Sequence, residues 1–193
     1  MQLPDPGLVN FYRLAENRIV YLDAEIDESV LELQKMIFSW NLEDKDMGLP
    51  TENRQPIVLI IDSPGGMLDE TMSICSTIKL SKTPIYTVNV AQAYSGAALI
   101  FMSGHRRFVF PYAKTMIHSG GTTGIGGTFE QTEAAQKLYR KQIAEMGDYI
   151  LANSKIEQKV FKLNQAKDWY FTAQEAVDYG LADEVIADLD SIL

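Results

Sequence analysis

The chain has 193 residues, 46% apolar and 22% charged, which suits one domain with a closed hydrophobic core. Its formal net charge of −9 argues against nucleic acid as a partner, because an acidic chain repels phosphate backbones. No apolar run reaches bilayer length, no basic–apolar leader opens the chain, and the single Cys75 can form no internal disulfide, so a cytoplasmic setting away from membranes is expected.

In chain order, Arg18–Leu22 reads as a strand. Glu28–Trp40 follows with Val30, Leu33, Met36, Ile37 and Trp40 at helical spacing. Asn41–Gln55 is polar, contains Gly48-Leu49-Pro50, and reads as a surface loop. Pro56–Ile61 is a continuous apolar, β-branched run, the pattern of a strand covered on both faces. Ser63-Pro64-Gly65-Gly66 breaks it, and a helix is predicted over Leu68–Leu80. Pro84–Val90 is a third strand, and Ala91–Met102 turns helical after its first residues. Arg107–Phe110 and Thr115–Ile117 read as short strands around Pro111-Tyr112. A glycine-rich loop, Gly120–Gly127, leads into a long helix over Thr128–Asn153, with Ala135, Tyr139, Ile143, Met146 and Ile150 on one stripe. A helix at Thr172–Tyr179, stopped by Gly180, and a strand at Asp183–Ile186 complete the chain.

Alternating strands and helices imply an α/β fold with a mostly parallel sheet flanked by helices. Reactive groups in such sheets gather at the carboxyl ends of strands. Ser63–Gly66, Tyr94–Ser95 and His118 each follow a predicted strand, so three loops converge on one edge. Ser95 stands before small residues, Gly96-Ala97-Ala98, at a helix start whose free N–H groups and positive dipole end suit a developing oxyanion. The plainer alternative is an N-cap serine. His118 ends an apolar strand and precedes glycines; His105 sits in a polar turn beside Arg106 and Arg107. His118 is therefore the candidate base for Ser95, a structural histidine being the alternative. A third member must orient the imidazole, and spacing alone does not choose it among 26 acidic residues. Asp168 stands out only for its aromatic neighbours Trp169-Tyr170-Phe171, which can shield a buried pair. The Pro64-Gly65-Gly66 turn lets backbone approach closely, and the Gly66 and Gly96 amides are candidate oxyanion donors. Two histidines and one cysteine make a structural zinc site improbable, and this chemistry calls for no metal or organic cofactor.

Four segments in order, Asp62-Ser63-Pro64-Gly65-Gly66, Ala91-Gln92-Ala93-Tyr94-Ser95-Gly96-Ala97, Met116-Ile117-His118 and Phe171–Leu181, resemble the signatures of the Clp protease proteolytic subunit. The resemblance runs from Phe11 to Val185. It implies the ClpP/crotonase-type α/β fold and a Ser-His-Asp triad of Ser95, His118 and Asp168, with oxyanion donors at Gly66 and Gly96. It also implies that the helix over 128–153 is the handle through which two rings meet, and that Gly120–Gly127 lines the substrate groove. The implied protein is a serine endopeptidase acting on polypeptide substrates. It would be a homo-oligomer of heptameric rings stacked as a tetradecamer, served by an AAA+ unfoldase in an ATP-dependent complex.

This chain departs from the family pattern at four places. Gly96 replaces the usual methionine, Ser119-Gly120 the usual Gln-Pro, and Asp62 the usual asparagine; Asn41–Gln55 is longer than usual. The segment before Tyr12, within the N-terminal stretch 1–11, is short, which implies reduced axial entry loops. Three other readings stand beside the peptidase: a catalytically silent ring subunit, a phage head-maturation peptidase acting without an unfoldase, and a crotonase-type thioester enzyme.

Overall fold

Residues 5–122 and 124–193 are described by the structure, a computed structural model. The first half runs α1 (Pro6–Glu16), β1 (Ile19–Leu22), α2 (Val30–Asp46), β2 (Ile57–Ser63), α3 (Leu68–Leu80), β3 (Ile85–Tyr94) and α4 (Gly96–Ser103). The second runs β4 (Arg106–Val109), β5 (Lys114–Ile117), α5 (Phe129–Ala152), α6 (Gln158–Asn164), β6 (Trp169–Phe171), α7 (Ala173–Asp178) and β7 (Glu184–Val185).

The strands form one sheet in the order β1-β2-β3-β4-β7, every neighbouring pair parallel. β3 is too long for a single partner. Its first part, Tyr86–Asn89, pairs with β4, and its last part, Gln92–Tyr94, pairs with β5. The fork is held by Asn89, fully buried, whose Nδ2 donates to the Lys114 carbonyl at 2.9 Å and to Thr115 Oγ1 at 3.2 Å. β6 then adds antiparallel to β5.

β2 shows why the sheet lies at the centre. Ile57, Leu59 and Ile61 face the main core, with Ile74 and Ile78 of α3 and the apolar α4. Val58 and Ile60 face the other side, with Ile19, Val88 and Phe108. Both faces are covered, as the continuous apolar run predicted. α4 is buried along its whole length, because its small first residues let it pack directly behind the sheet.

The structure corrects several expectations. α2 continues through Asn41–Asp46, a stretch read as loop. α1, α6 and β6 were not predicted. The other predicted elements lie within a few residues of those observed, and Thr128 and Asn153 are the caps of α5. Of the expected N-terminal segment 1–11, residues 1–4 lie outside the described residues; so does Thr123 of the expected groove loop 120–127.

Candidate active site

Strand register brings the candidate residues together. β3 pairs with β5 through Tyr94 opposite Met116, and the Ser95 amide then donates to the Met116 carbonyl at 2.9 Å. Ser95 therefore starts α4 beside the end of β5, where His118 emerges. On the other side of β5, Ile117 lies opposite Trp169. Continuing that antiparallel register by one residue sets His118 against Asp168.

The side chains complete the line. His118 Nε2 lies 2.7 Å from Ser95 Oγ, and His118 Nδ1 lies 3.2 Å from Asp168 Oδ1. With the proton on Nδ1, the ring turns that N–H side toward the carboxylate and leaves Nε2 to accept from the serine hydroxyl. The His118 side chain is 24% exposed and that of Asp168 58%. The aromatic residues after Asp168 pack against one another and against Tyr179, with Trp169 and Tyr179 centroids 5.4 Å apart. They do not enclose the carboxylate, so the expected buried pair is a half-open one. His105 is excluded from this chemistry by position. Its Nδ1 accepts from the Ile85 amide at 3.0 Å, at the start of β3 and about 30 Å of strand away from Ser95.

Ser95 has φ 53° and ψ −122°, one of two non-glycine residues with positive φ among those described. Such a conformation costs on the order of 1–3 kcal/mol and persists only where the surroundings impose it. Gly65 packs directly against this turn. With φ +95°, a Cβ on Gly65 would stand 2.5 Å from the Tyr94 carbonyl, 2.8 Å from Ser95 Cβ and 2.9 Å from the Gly96 nitrogen. The missing side chain lets the β2–α3 turn touch the Ser95 turn. Gly66 is pinned in turn by Ile26, whose amide donates to the Gly65 carbonyl and whose carbonyl accepts from Met67 N–H, both at 2.8 Å. The Gly66 and Gly96 amides have no protein acceptor among the described residues. Two free N–H groups thus flank the serine, one at the start of a buried helix.

A cavity of about 320 Å³ opens beside Ser95 and Gly96, between the start of α3 and the middle of α5. It is a smaller hollow than the groove bordered by α1 and the C-terminal residues Ser191–Leu193, which lies away from these groups.

The Clp protease family profile matches residues 8–188. The chain is 32% identical over 186 residues to the ATP-dependent Clp protease proteolytic subunit 2 of Corynebacterium glutamicum, covering 94% of this chain and 88% of the relative. It is 31% identical over 180 residues to the subunit 2 of Streptomyces avermitilis, covering 92% and 86%. It is 32% identical over 181 residues to the subunit 1 of Frankia casuarinae, covering 91% and 80%. The chain belongs to the Clp protease family.

One departure of this Clp protease chain from the resemblance has a structural reason. A Cβ on Gly96 would collide with Thr71 Oγ1 and come within 3.3 Å of Ile26 Cδ1. Thr71 is fully buried, and its hydroxyl donates to the Met67 carbonyl at 2.8 Å. α3 therefore fills the space that a side chain at position 96 would need. The replacements at Ser119-Gly120 and Asp62 have no comparable explanation in the contacts of this chain. Sequence reasoning missed the β5–β6 pairing; a three-residue aromatic strand has too short a pattern to register, yet it carries Asp168 to the histidine.

Proposed function

We propose that this Clp protease family member is a serine endopeptidase with Ser95 as nucleophile. The observation that carries the reading is the line from Ser95 Oγ, hydrogen-bonded to His118 Nε2 at 2.7 Å, through the ring to Asp168 Oδ1, 3.2 Å from Nδ1. Ser95 Oγ attacks a peptide carbonyl carbon while His118 Nε2 takes the hydroxyl proton. The negative charge that forms on the carbonyl oxygen is met by the Gly66 and Gly96 amides, which need no reorganisation to receive it. The intermediate collapses, the C–N bond breaks, and His118 returns its proton to the leaving amine. A water then attacks the acyl ester, gives a proton to Nε2, and releases the carboxylic acid as Ser95 regains its hydroxyl. Asp168 holds the imidazole in one tautomer and offsets its positive charge.

The names of the relatives, ATP-dependent Clp protease proteolytic subunits, support the further proposal that an ATP-driven AAA+ unfoldase feeds polypeptides to rings of this chain. Seven-membered rings stacked as a tetradecamer are the assembly the family implies. A silent ring subunit is the competing reading, favoured by the 58% exposure of Asp168, which weakens its hold on the ring in a lone subunit.

Purified protein treated with a fluorophosphonate probe should label at Ser95, and native mass spectrometry should report the assembly. Ser95→Ala should assemble alike yet lose turnover by a factor on the order of 10⁶. Retained activity in Ser95→Ala, or an unlabelled Ser95 in the assembled wild type, overturns the reading.

A further inference from the structure

His118 follows β5, and the register of β5 against β3 decides where the imidazole meets Ser95. Little in the strand itself fixes that register. Lys114, Thr115 and Met116 pair with β3, opposite Gln92, Ala93 and Tyr94, which is a short ladder. The other edge of β5 meets the equally short Trp169–Phe171. Thr115, Met116 and Ile117 are all buried, so both faces of the strand are covered and no apolar–polar alternation selects one of them. A slip of one residue would carry His118 about 3.3 Å along the sheet.

A polar clamp stands at the start of this ladder. Asn89 and Thr115 are both fully buried. Asn89 Nδ2 donates to the Lys114 carbonyl at 2.9 Å and to Thr115 Oγ1 at 3.2 Å. The other end of the amide, Oδ1, is shielded from solvent and has no partner among the described residues. A buried amide with an unpaired acceptor lowers stability, and an apolar pair of the same shape would avoid that loss. Stability alone therefore does not account for Asn89. A buried amide can instead specify register while lowering stability, as a single asparagine does between coiled-coil helices.

We propose that Asn89 is a positioning residue: by clamping the first residues of β5 it sets the approach of His118 Nε2 to Ser95 Oγ. The inference rests on Ser95 and His118 being the catalytic pair. Asn89 touches neither side chain and acts through the two strands. β3 runs from Asn89 to Ser95, and β5 runs from the clamped Lys114 and Thr115 to His118. Removing the clamp should therefore separate activity from stability, whereas loss of an ordinary core contact lowers both.

The test combines Asn89→Leu with Thr115→Val in the full chain, so that both partners become apolar at similar size. The urea midpoint of this double variant should equal or exceed that of the wild type. Its kcat on a short fluorogenic peptide should fall by on the order of tenfold, with KM changed by less than about twofold. The rate of fluorophosphonate labelling at Ser95 should fall with kcat, because both depend on the same serine–histidine contact. Thr115→Ser keeps the hydroxyl and should keep the wild-type kcat. If leucine overfills the site and the chain does not assemble, Asn89→Val with Thr115→Val carries the same expectations. A wild-type kcat in the apolar variant overturns this proposal and leaves the peptidase reading standing. So does a loss of kcat that comes with a lower urea midpoint, which would make the pair a stability element. A wild type that neither labels nor turns over overturns the peptidase reading, and this inference with it.

Discussion

At Gly96 one added carbon meets Thr71 Oγ1, whose hydroxyl is already committed to the Met67 carbonyl. Gly96→Ala should therefore strain the contact between α3 and α4, with a cost on the order of 1–3 kcal/mol in urea unfolding. Thr71→Ala removes the obstructing oxygen, so the double variant should recover part of that loss, with a coupling of at least about 0.5 kcal/mol. Additive losses would show that the two positions do not share this space. Asp168 answers a different question at the same scale. Asp168→Asn keeps the shape but removes the charge that holds Nδ1–H, and kcat should fall by on the order of 10³–10⁴ with a smaller change in KM. A loss below tenfold would mean that the half-open carboxylate contributes little to the histidine.

Among the elements, α2 and the β1–β2 edge are locked by a buried ion pair. Arg18 Nη1 and Nη2 donate to Asp44 Oδ2 and Oδ1 at 2.8 and 2.7 Å, and Thr83 Oγ1 donates to Asp44 Oδ2 at 2.6 Å. Both side chains are buried. Asp44→Asn leaves the buried guanidinium with only the exposed Glu43, 3.1 Å from Nη2, as a charge partner and should cost on the order of 3 kcal/mol. The Arg18 hydrogen bond holds the Asp44 carboxyl below its ordinary pKa of 3.8. A depressed carboxylate stabilises the fold above its unfolded pKa and ceases to do so as pH falls through the native one. The wild-type urea midpoint should accordingly drop as pH falls below 3.8, and the Asp44→Asn midpoint should be flatter over that window.

The same ion pair explains why the end of α2 was illegible in the sequence. Asn41–Asp46 is polar because it is mostly exposed, and its helix is kept by distant partners: Arg18 on Asp44, and the Lys82 and Thr83 amides on Asn41 Oδ1. No local pattern encodes them. α1 had a signal, Asp5 capping Gly7 with Pro6 at the first turn, but no buried stripe to support it. The β2–α3–β3 segment was legible because its apolar runs are continuous and its break is a glycine turn. Ser95 and His118 were legible as strand-end residues. Asp168 was not, because its position depends on an antiparallel register that exists only once β5 and β6 have met.

At the scale of the whole molecule, α5 leaves the chain body. Of its 24 residues only Met146, Gly147 and Ile150 are buried, all in its last third. Before them, Ala135, Tyr139 and Ile143 are half-buried, while Phe129 and Leu138 stand 78% and 57% exposed. A capping box at Thr128 and Gln131 starts the helix, but helices owe most of their stability to packing, and this first part finds little within its own chain. A second copy of α5 from a facing ring would supply it. The same helix also walls the cavity beside Ser95, through Tyr139, Gln142, Ile143 and Met146, with Gln142 tied to Asp69. In the proposed assembly, ring contact and substrate binding would share one element. Leu138 lines neither the cavity nor the triad, so Leu138→Asp tests the connection. Native mass spectrometry should show this variant at half the wild-type mass. Its peptide turnover per subunit should be lower by on the order of tenfold, since small misplacement of a distant wall is enough. Turnover should recover as protein concentration drives the halves together. Half mass with undiminished turnover would separate assembly from catalysis, and unchanged mass would place the contact between rings elsewhere than on α5.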